Sequence, residues 1–281
     1  MTLPRVDFVI RVVSILLALA LGVALPLIPF VIVGIVLGQG HFFLSYIYQI
    51  EGKHMSMRKL TILVALFAGM WWLASVISLD VLVVLVGLGF MVHFTMDEIR
   101  LLSGKHSLYS TLEGLPLVLV YSAMISDAFL HSMFFPYACA ASVLILAVYA
   151  FLALRAHRRP NALSYLLFGY LAVSLVLYGA AHVFAPTKQI QWFVGLGLVH
   201  YFIWYGYYWF KLKARPAALT IYTVRVLVLN LVLVIGVLFW LHSSAALLAL
   251  FFSPTAFEVW IAMHGFATFR LRDYGAAVRL S

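Results

Sequence analysis

Four histidines lie inside long apolar runs: His41 in "GQGHFFLSYIYQ", His93 in "VLVVLVGLGFMVHFTMDEIR", His200 in "LVHYFIWYGYYWFK" and His264 in "AMHGFATFR". Imidazole is a ligand for iron, copper, zinc and nickel. An ionisable side chain in a membrane span is costly and normally faces the bundle interior, so each of the four is a candidate functional residue. The ordinary alternative for any one of them is a hydrogen bond to a carbonyl or hydroxyl of a neighbouring helix. Cys139 is the single cysteine, which excludes an internal disulfide and any cysteine-based metal knuckle. A metal site must then be built from His, Asp, Glu or backbone oxygen. An all-histidine set with carboxylates nearby favours non-haem Fe(II) over structural zinc.

Other residues attach to this set by spacing. Asp97 is one turn beyond His93 on the same helix face, placed to ligate or to orient the imidazole through its other nitrogen. The competing reading is that Asp97 and Glu98 mark the membrane interface beside Arg100. Glu258 lies deeper in the last apolar run, as a second carboxylate for the site or as a partner for Arg225. Arg225 is either that polar anchor or a side chain that snorkels to the surface. Trp204 is one turn from His200 and shares its face, and Tyr201 and Phe94 directly follow His200 and His93. These three aromatics are the expected walls of a substrate cavity. Tyr207, Tyr208 and Trp209 read instead as an interfacial aromatic belt.

The elements that position these residues follow from composition. The chain has 281 residues, 65% hydrophobic, 10% charged, with mean hydropathy +1.10. Soluble domains are about half apolar and about a quarter charged. The expected fold is therefore an all-α polytopic integral membrane bundle, with residues 1–281 forming a single transmembrane domain. The net charge of +9 reads as basic loops facing anionic lipid rather than as a nucleic-acid surface. Proline, glycine and charge punctuate about ten spans, at 6–25, 27–49, 59–78, 80–102, 111–128, 134–155, 162–184, 188–211, 217–241 and 245–270. The first is read as a retained span rather than a cleaved leader, and Pro254 should kink or divide the last.

Basic residues then fix direction. Lys53, Arg58, Lys59, Arg100, Lys105, Arg155, Arg158, Arg159, Lys211, Lys213, Arg215, Arg270, Arg272, Arg279 and Arg5 fall on one side of a ten-span arrangement, against Lys188 on the other. The positive-inside rule places both termini in the cytoplasm, as expected for a bacterial inner (plasma) membrane protein. All four buried histidines sit on even-numbered spans, two or three turns before a cytoplasmic basic cluster. At about 1.5 Å per residue they share one depth to within about 10 Å. His54, His106 and His157 fall in basic loops, and His131, His182 and His242 near outer span ends, where interfacial roles suffice.

"GQG" at 38–40 and "GLG" at 87–89 and 195–197 precede three of the four histidines, permitting close helix approach or clearing room for a ligand. No nucleotide-binding loop occurs in a strand–turn–helix context. No carboxylate spacing points to a glycosidase or protease.

"VHFTMD" resembles the "HFGMAD"-type segment of the Brp/Blh family of membrane β-carotene dioxygenases that make retinal. "GQGHFF", "LVHYFIW" and "AMHGFATFR" are similar to its other histidine segments in order and rough spacing. Gly40 stands where the family has proline before the first histidine, Trp204 stands where it has a second histidine, and the carboxylate spacing after His93 differs by one residue. The resemblance implies His41, His93 and His200 as iron ligands, with His264 supplying a fourth. It also implies oxidative cleavage of a polyene.

The expected function is thus an integral-membrane non-haem iron oxygenase acting on a lipophilic polyene, isoprenoid or lipid substrate. A haem-binding electron-transfer protein and a metal or proton transporter are the alternatives. The expected partners are a lipophilic small molecule and membrane lipids, with no nucleic acid; the sequence names no redox partner.

Overall fold

The computed structural model describes residues 3–51, 55–103, 107–158, 162–184, 189–243 and 246–268. Lys53, His54, Lys105, His106, Arg159, Lys188, Arg270, Arg272 and Arg279 lie outside the described residues, as do the side chains of Arg5, Arg100 and His182. The described chain is all-helical: α1 (Leu3–Ala24), α2 (Leu27–Glu51), α3 (Met57–Val76), α4 (Leu79–Ser103), α5 (Leu108–Leu130), α6 (Phe134–Arg155), α7 (Ala162–Phe184), α8 (Gln189–Leu212), α9 (Pro216–Ser243), α10 (Ala246–Phe252) and α11 (Pro254–Thr268).

Among the described residues, α2, α3, α4, α5, α6 and α9 are long and apolar enough to cross a membrane. The pair α10–α11, bent by 49°, makes a seventh if counted as one span. The apolar parts of α1 and α7, Phe8–Ala24 and Ser164–Val176, are shorter. Length and composition thus account for six or seven crossings where the sequence led to ten. The exteriors of these helices are apolar. In α3 only Leu63 is buried, while Leu227, Leu231, Ile235 and Phe239 of α9 are exposed. Contiguous apolar exteriors of this kind are intolerable in water and natural in lipid.

The chain divides into two compact units. The first comprises Met1–Val76 and Ile190–Ala267, holding α1–α3 and α8–α11; the second comprises Ile77–Gln189 and Thr268–Ser281, holding α4–α7. In the second unit α5 is the central element, packed on α4, α6 and α7. A capping box starts it: Ser110 N–H donates to Ser107 Oγ (3.1 Å), and Ser107 N–H donates to Ser110 Oγ (2.8 Å). His131 ends it in the left-handed conformation (φ 50°). At the end of α6, His157 is again left-handed (φ 52°). There His157 N–H reaches Leu154 O (3.0 Å) and Arg158 N–H reaches Ala153 O (2.8 Å), a Schellman closure. His131 and His157 are therefore helix stops as well as residues at span ends.

In the first unit Pro254 divides the last segment, as expected. Ser253 caps α11 by accepting from Ala256 N–H (3.1 Å), and Pro254 takes the first helical position, where no N–H is needed. The break removes the helical donor to Leu250 O. Trp260 Nε1–H supplies another at 3.3 Å. Phe251 O, the next carbonyl at the break, accepts from Gln39 Nε2 of α2. Backbone groups freed by a break at membrane depth must find such partners, and the Gln39 bond fastens α2 to the bend.

Candidate metal centre

The first unit brings three of the four expected histidines together. His41 on α2, His200 on α8 and His264 on α11 each offer one ligand atom, and these atoms lie within 4.8 Å of one another. All three are buried, at 8%, 1% and 2% exposure. The rings of His41 and His200 meet edge-on (centroids 5.4 Å apart, 86°), as do those of His41 and His264 (4.7 Å, 66°). Two imidazole nitrogens on one ion at about 2.1 Å lie at most about 4.2 Å apart. Small rotamer adjustments therefore suffice for these three to share an ion. Three imidazoles leave further coordination positions open, which is the arrangement of a reactive rather than a closed structural site.

Aromatic side chains enclose the trio. Phe42 stacks on His264 (4.6 Å, 26°) and on Phe257 (6.3 Å, 28°). On α8, the spacing of His200, Tyr201, Trp204 and Tyr205 presents two adjacent stripes to α2. Tyr201, Trp204 and Tyr205 place their rings 5.7, 6.0 and 6.3 Å from His41. Trp204 is also 6.3 Å from His200 and stacks on Tyr208, so it does share the His200 face.

The "GQG" glycines accommodate these rings rather than a ligand. A Cβ on Gly38 would lie 2.9 Å from the Tyr201 ring, and one on Gly40 would lie 2.6 Å from Asn230 Oδ1 and 2.9 Å from Tyr205 Oη. Tyr205 donates to Leu37 O (3.0 Å), and Asn230 Nδ2 donates to Val226 O (2.8 Å). The other two motifs differ: Gly89 meets nothing within 4 Å, and Gly197 meets Tyr201 at an ordinary 3.6 Å.

Glu258 is buried on α11, and its Oε2 has no hydrogen-bond donor among the described residues. It is an electrostatic neighbour of Tyr201 but stands outside the group of ligand atoms defined by the three histidines. Arg225 does not pair with it. The Arg225 guanidinium forms a bidentate bond with Glu51 (2.8 and 2.7 Å) and lies over the Tyr48 ring, at the more exposed end of α2 and α9. A half-exposed guanidinium finds a carboxylate at its own level more readily than one deep in the unit, so Arg225 is an anchor between α2 and α9.

His93, Asp97 and Phe94 belong to the second unit. His93 Nε2 lies 3.4 Å from Asp97 Oδ2, the i,i+4 relation expected from their spacing, with 4% and 16% exposure. Phe94 is fully buried against Tyr170 (5.4 Å, edge-on). Glu98 is also buried, at 2% exposure.

Several residues here carry no sequence signal of their own. Gln39, Phe42, Tyr205 and Asn230 emerge only from packing. So do two carboxylate pairings of the second unit, the buried Ser164 Oγ–H to Glu113 Oε1 (2.6 Å) and the half-buried Tyr178 Oη–H to Asp127 Oδ2.

Comparison with family models, curated proteins and solved structures finds no match for the chain.

Proposed function

We propose that the chain is an integral-membrane, histidine-ligated non-haem iron oxygenase acting on a lipophilic polyene, isoprenoid or lipid substrate. Carotenoid cleavage is the activity that its resemblance to the Brp/Blh family implies. The observation that carries this reading is the meeting of His41, His200 and His264 from three separate helices, all three buried and packed among aromatic side chains. When bound there, iron would supply an open position at which dioxygen is activated. The protein's own part is geometry and exclusion of water. The three imidazoles hold the ion, Phe42, Tyr201 and Trp204 keep the space dry, and Gln39 fixes α2 against the α10–α11 bend, so that His41 and His264 stay in register.

Haem fits less well. A bis-histidine haem must lie between two facing imidazoles, whereas the His41 pairs here are edge-on at 5.4 and 4.7 Å. A transport path would need polar groups continuing beyond the trio, and its surroundings are predominantly aromatic. For topology, counting α10–α11 as one broken span and α1, α7 and α8 as spans gives ten crossings. Basic residues such as Arg58, Lys59, Arg155, Arg158, Lys211 and Arg215 then lie on one side, with both termini cytoplasmic in a bacterial inner membrane.

Metal analysis of the purified full-length chain, expressed in iron-replete medium, tests the proposal. Stoichiometric iron in the wild type and background iron in His41→Ala, His200→Ala and His264→Ala are expected. Folded wild-type protein without iron, or variants that retain it undiminished, would overturn the reading. A Soret band would redirect it to haem.

A further inference from the structure

A run of rings continues the histidine trio toward the more exposed end of α2. On α8, His200, Trp204 and Tyr208 recur at i, i+4 and i+8, and on α2, Tyr48 follows His41 at i+7. Both spacings keep side chains on one helical face. Each of the two helices therefore carries a histidine of the trio and, farther out, a tyrosine. The rings meet. Trp204 lies 6.0 Å from His41 and 6.3 Å from His200, and it stacks on Tyr208 (5.5 Å, 26°). Tyr208 stacks in turn on Tyr48 (6.4 Å, 14°). Tyr48 ends the run under the Arg225 guanidinium, beside the Arg225–Glu51 pair, whose side chains are 33% and 48% exposed.

An interfacial belt does not account for this order. Trp209, at 52% exposure, faces outward as a belt residue does. Tyr208 is half-buried and lies stacked between Trp204 and Tyr48. Indole and phenol are the aromatic side chains that give up a single electron most readily, and an electron passes quickly between rings in contact. A phenol gives up its electron only where its proton can also leave. Tyr205 and Tyr222 donate to the carbonyls of Leu37 and Tyr205, which are too weakly basic to take a proton. Tyr201 is buried. Tyr48 is half-buried beside an exposed ion pair, where water can take the proton.

We propose that Trp204, Tyr208 and Tyr48 form an electron path that delivers one electron from the exposed end of α2 to the histidine trio when an oxidant meets the site without substrate. The inference rests on iron at the trio. With a peroxide as the oxidant, the O–O bond breaks and two waters form. Of the two electrons required, one comes from ferrous iron, left ferric, and the other from Tyr48 by way of Tyr208 and Trp204. Tyr48 loses its phenol proton with the electron and is left a neutral radical, so that one further proton is taken from solvent. A water-soluble reductant of the ascorbate class returns the hydrogen atom to Tyr48. The path thereby spares the histidine ligands from oxidation.

The test uses full-length protein in detergent, loaded anaerobically with ferrous iron, assayed for iron, mixed with an equimolar amount of hydrogen peroxide and frozen at successive times. Electron paramagnetic resonance reads the radical per iron bound. The wild type should show a tyrosyl radical, identified by a change of line shape when the protein is made with deuterated tyrosine. Tyr48→Phe should lose most of it. Trp204→Phe and Tyr208→Phe should slow its appearance and lower its yield. Trp204→Tyr, which keeps an oxidisable ring, should retain more of it than Trp204→Phe, a difference that a packing role would not produce. No radical in the iron-loaded wild type, an undiminished signal in both Trp204→Phe and Tyr208→Phe, or a signal lost in Tyr201→Phe and kept in Tyr48→Phe would overturn the proposal. The iron assay separates the two readings. Folded wild type without iron would remove both, whereas iron-loaded protein without the radical would remove this path and leave the metal centre.

Discussion

The indole N–H of Trp260 donates to Leu250 O at 3.3 Å, the carbonyl that Pro254 leaves without its helical donor. A residue on α11 thereby repairs the break at which α11 begins. The repair lets the chain bend by 49° in surroundings where an unpaired carbonyl is costly. That bend carries His264 to the side of His41.

Removing the repair should therefore be felt as stability. Trp260→Phe keeps an aromatic ring at the site and deletes the donor, and it should cost about 1–2 kcal/mol, the penalty of an unsatisfied carbonyl. Thermal unfolding in detergent measures it. Adding Pro254→Ala restores a backbone N–H four residues after Leu250, so Trp260→Phe/Pro254→Ala should recover part of the loss. A double variant less stable than Trp260→Phe alone would show that the break itself, and not the carbonyl, is what Trp260 supports.

Gln39 secures the other carbonyl of the break, at Phe251, and it sits two residues before His41 on the same helix. Gln39→Leu preserves approximate volume and removes the bond. The expected outcome is a loss of about 1 kcal/mol in stability, together with weakened iron retention on dialysis against chelator, since α2 is freed from the bend. Gln39→Glu, which still reaches Phe251 O when protonated, should retain more iron than Gln39→Leu. Iron retention equal to wild type in Gln39→Leu would assign the residue to folding alone.

Much of this was legible in the chain. Prolines and basic clusters delimit the apolar segments, and those segments are the observed helices. Depth counted from the basic clusters sets His41, His93, His200 and His264 at one level; His41, His200 and His264 meet in the first unit, and His93 belongs to the second. The i,i+4 spacing of His93 and Asp97 gave their pairing. What was not legible depends on partners far apart in sequence. Nothing around Arg225 distinguishes Glu51 from Glu258 as its partner. Glu98 is written beside a basic residue, as boundary carboxylates are, yet it is buried. The donors that repair the Pro254 break come from residue 39 and from two turns beyond the proline, and no local pattern announces either. Nor does hydropathy reveal the division into two units, because both are apolar throughout.

The three glycine motifs look alike as text and should behave differently as structure. Alanine is the better helix former by about 1 kcal/mol, so a glycine with open space gains from the exchange and one with a filled space loses. At Gly197 the nearest neighbour of an added Cβ is 3.6 Å away, an ordinary contact. Gly197→Ala should leave the melting temperature unchanged or raise it. At Gly40 the added carbon would lie 2.6 Å from Asn230 Oδ1 and 2.9 Å from Tyr205 Oη. Tyr205 is held by Leu37 O, and Asn230 by Val226 O, so neither yields without giving up a hydrogen bond. Overpacking of this kind costs about 1–3 kcal/mol, more than the helix propensity returns. Gly40→Ala should thus lower the melting temperature, and it should lower iron content as well, because Tyr205 packs against His41. Parallel behaviour of the two variants would mean that the crowding at Gly40 relaxes without consequence, and that the tyrosine wall of the histidine trio is looser than its contacts imply.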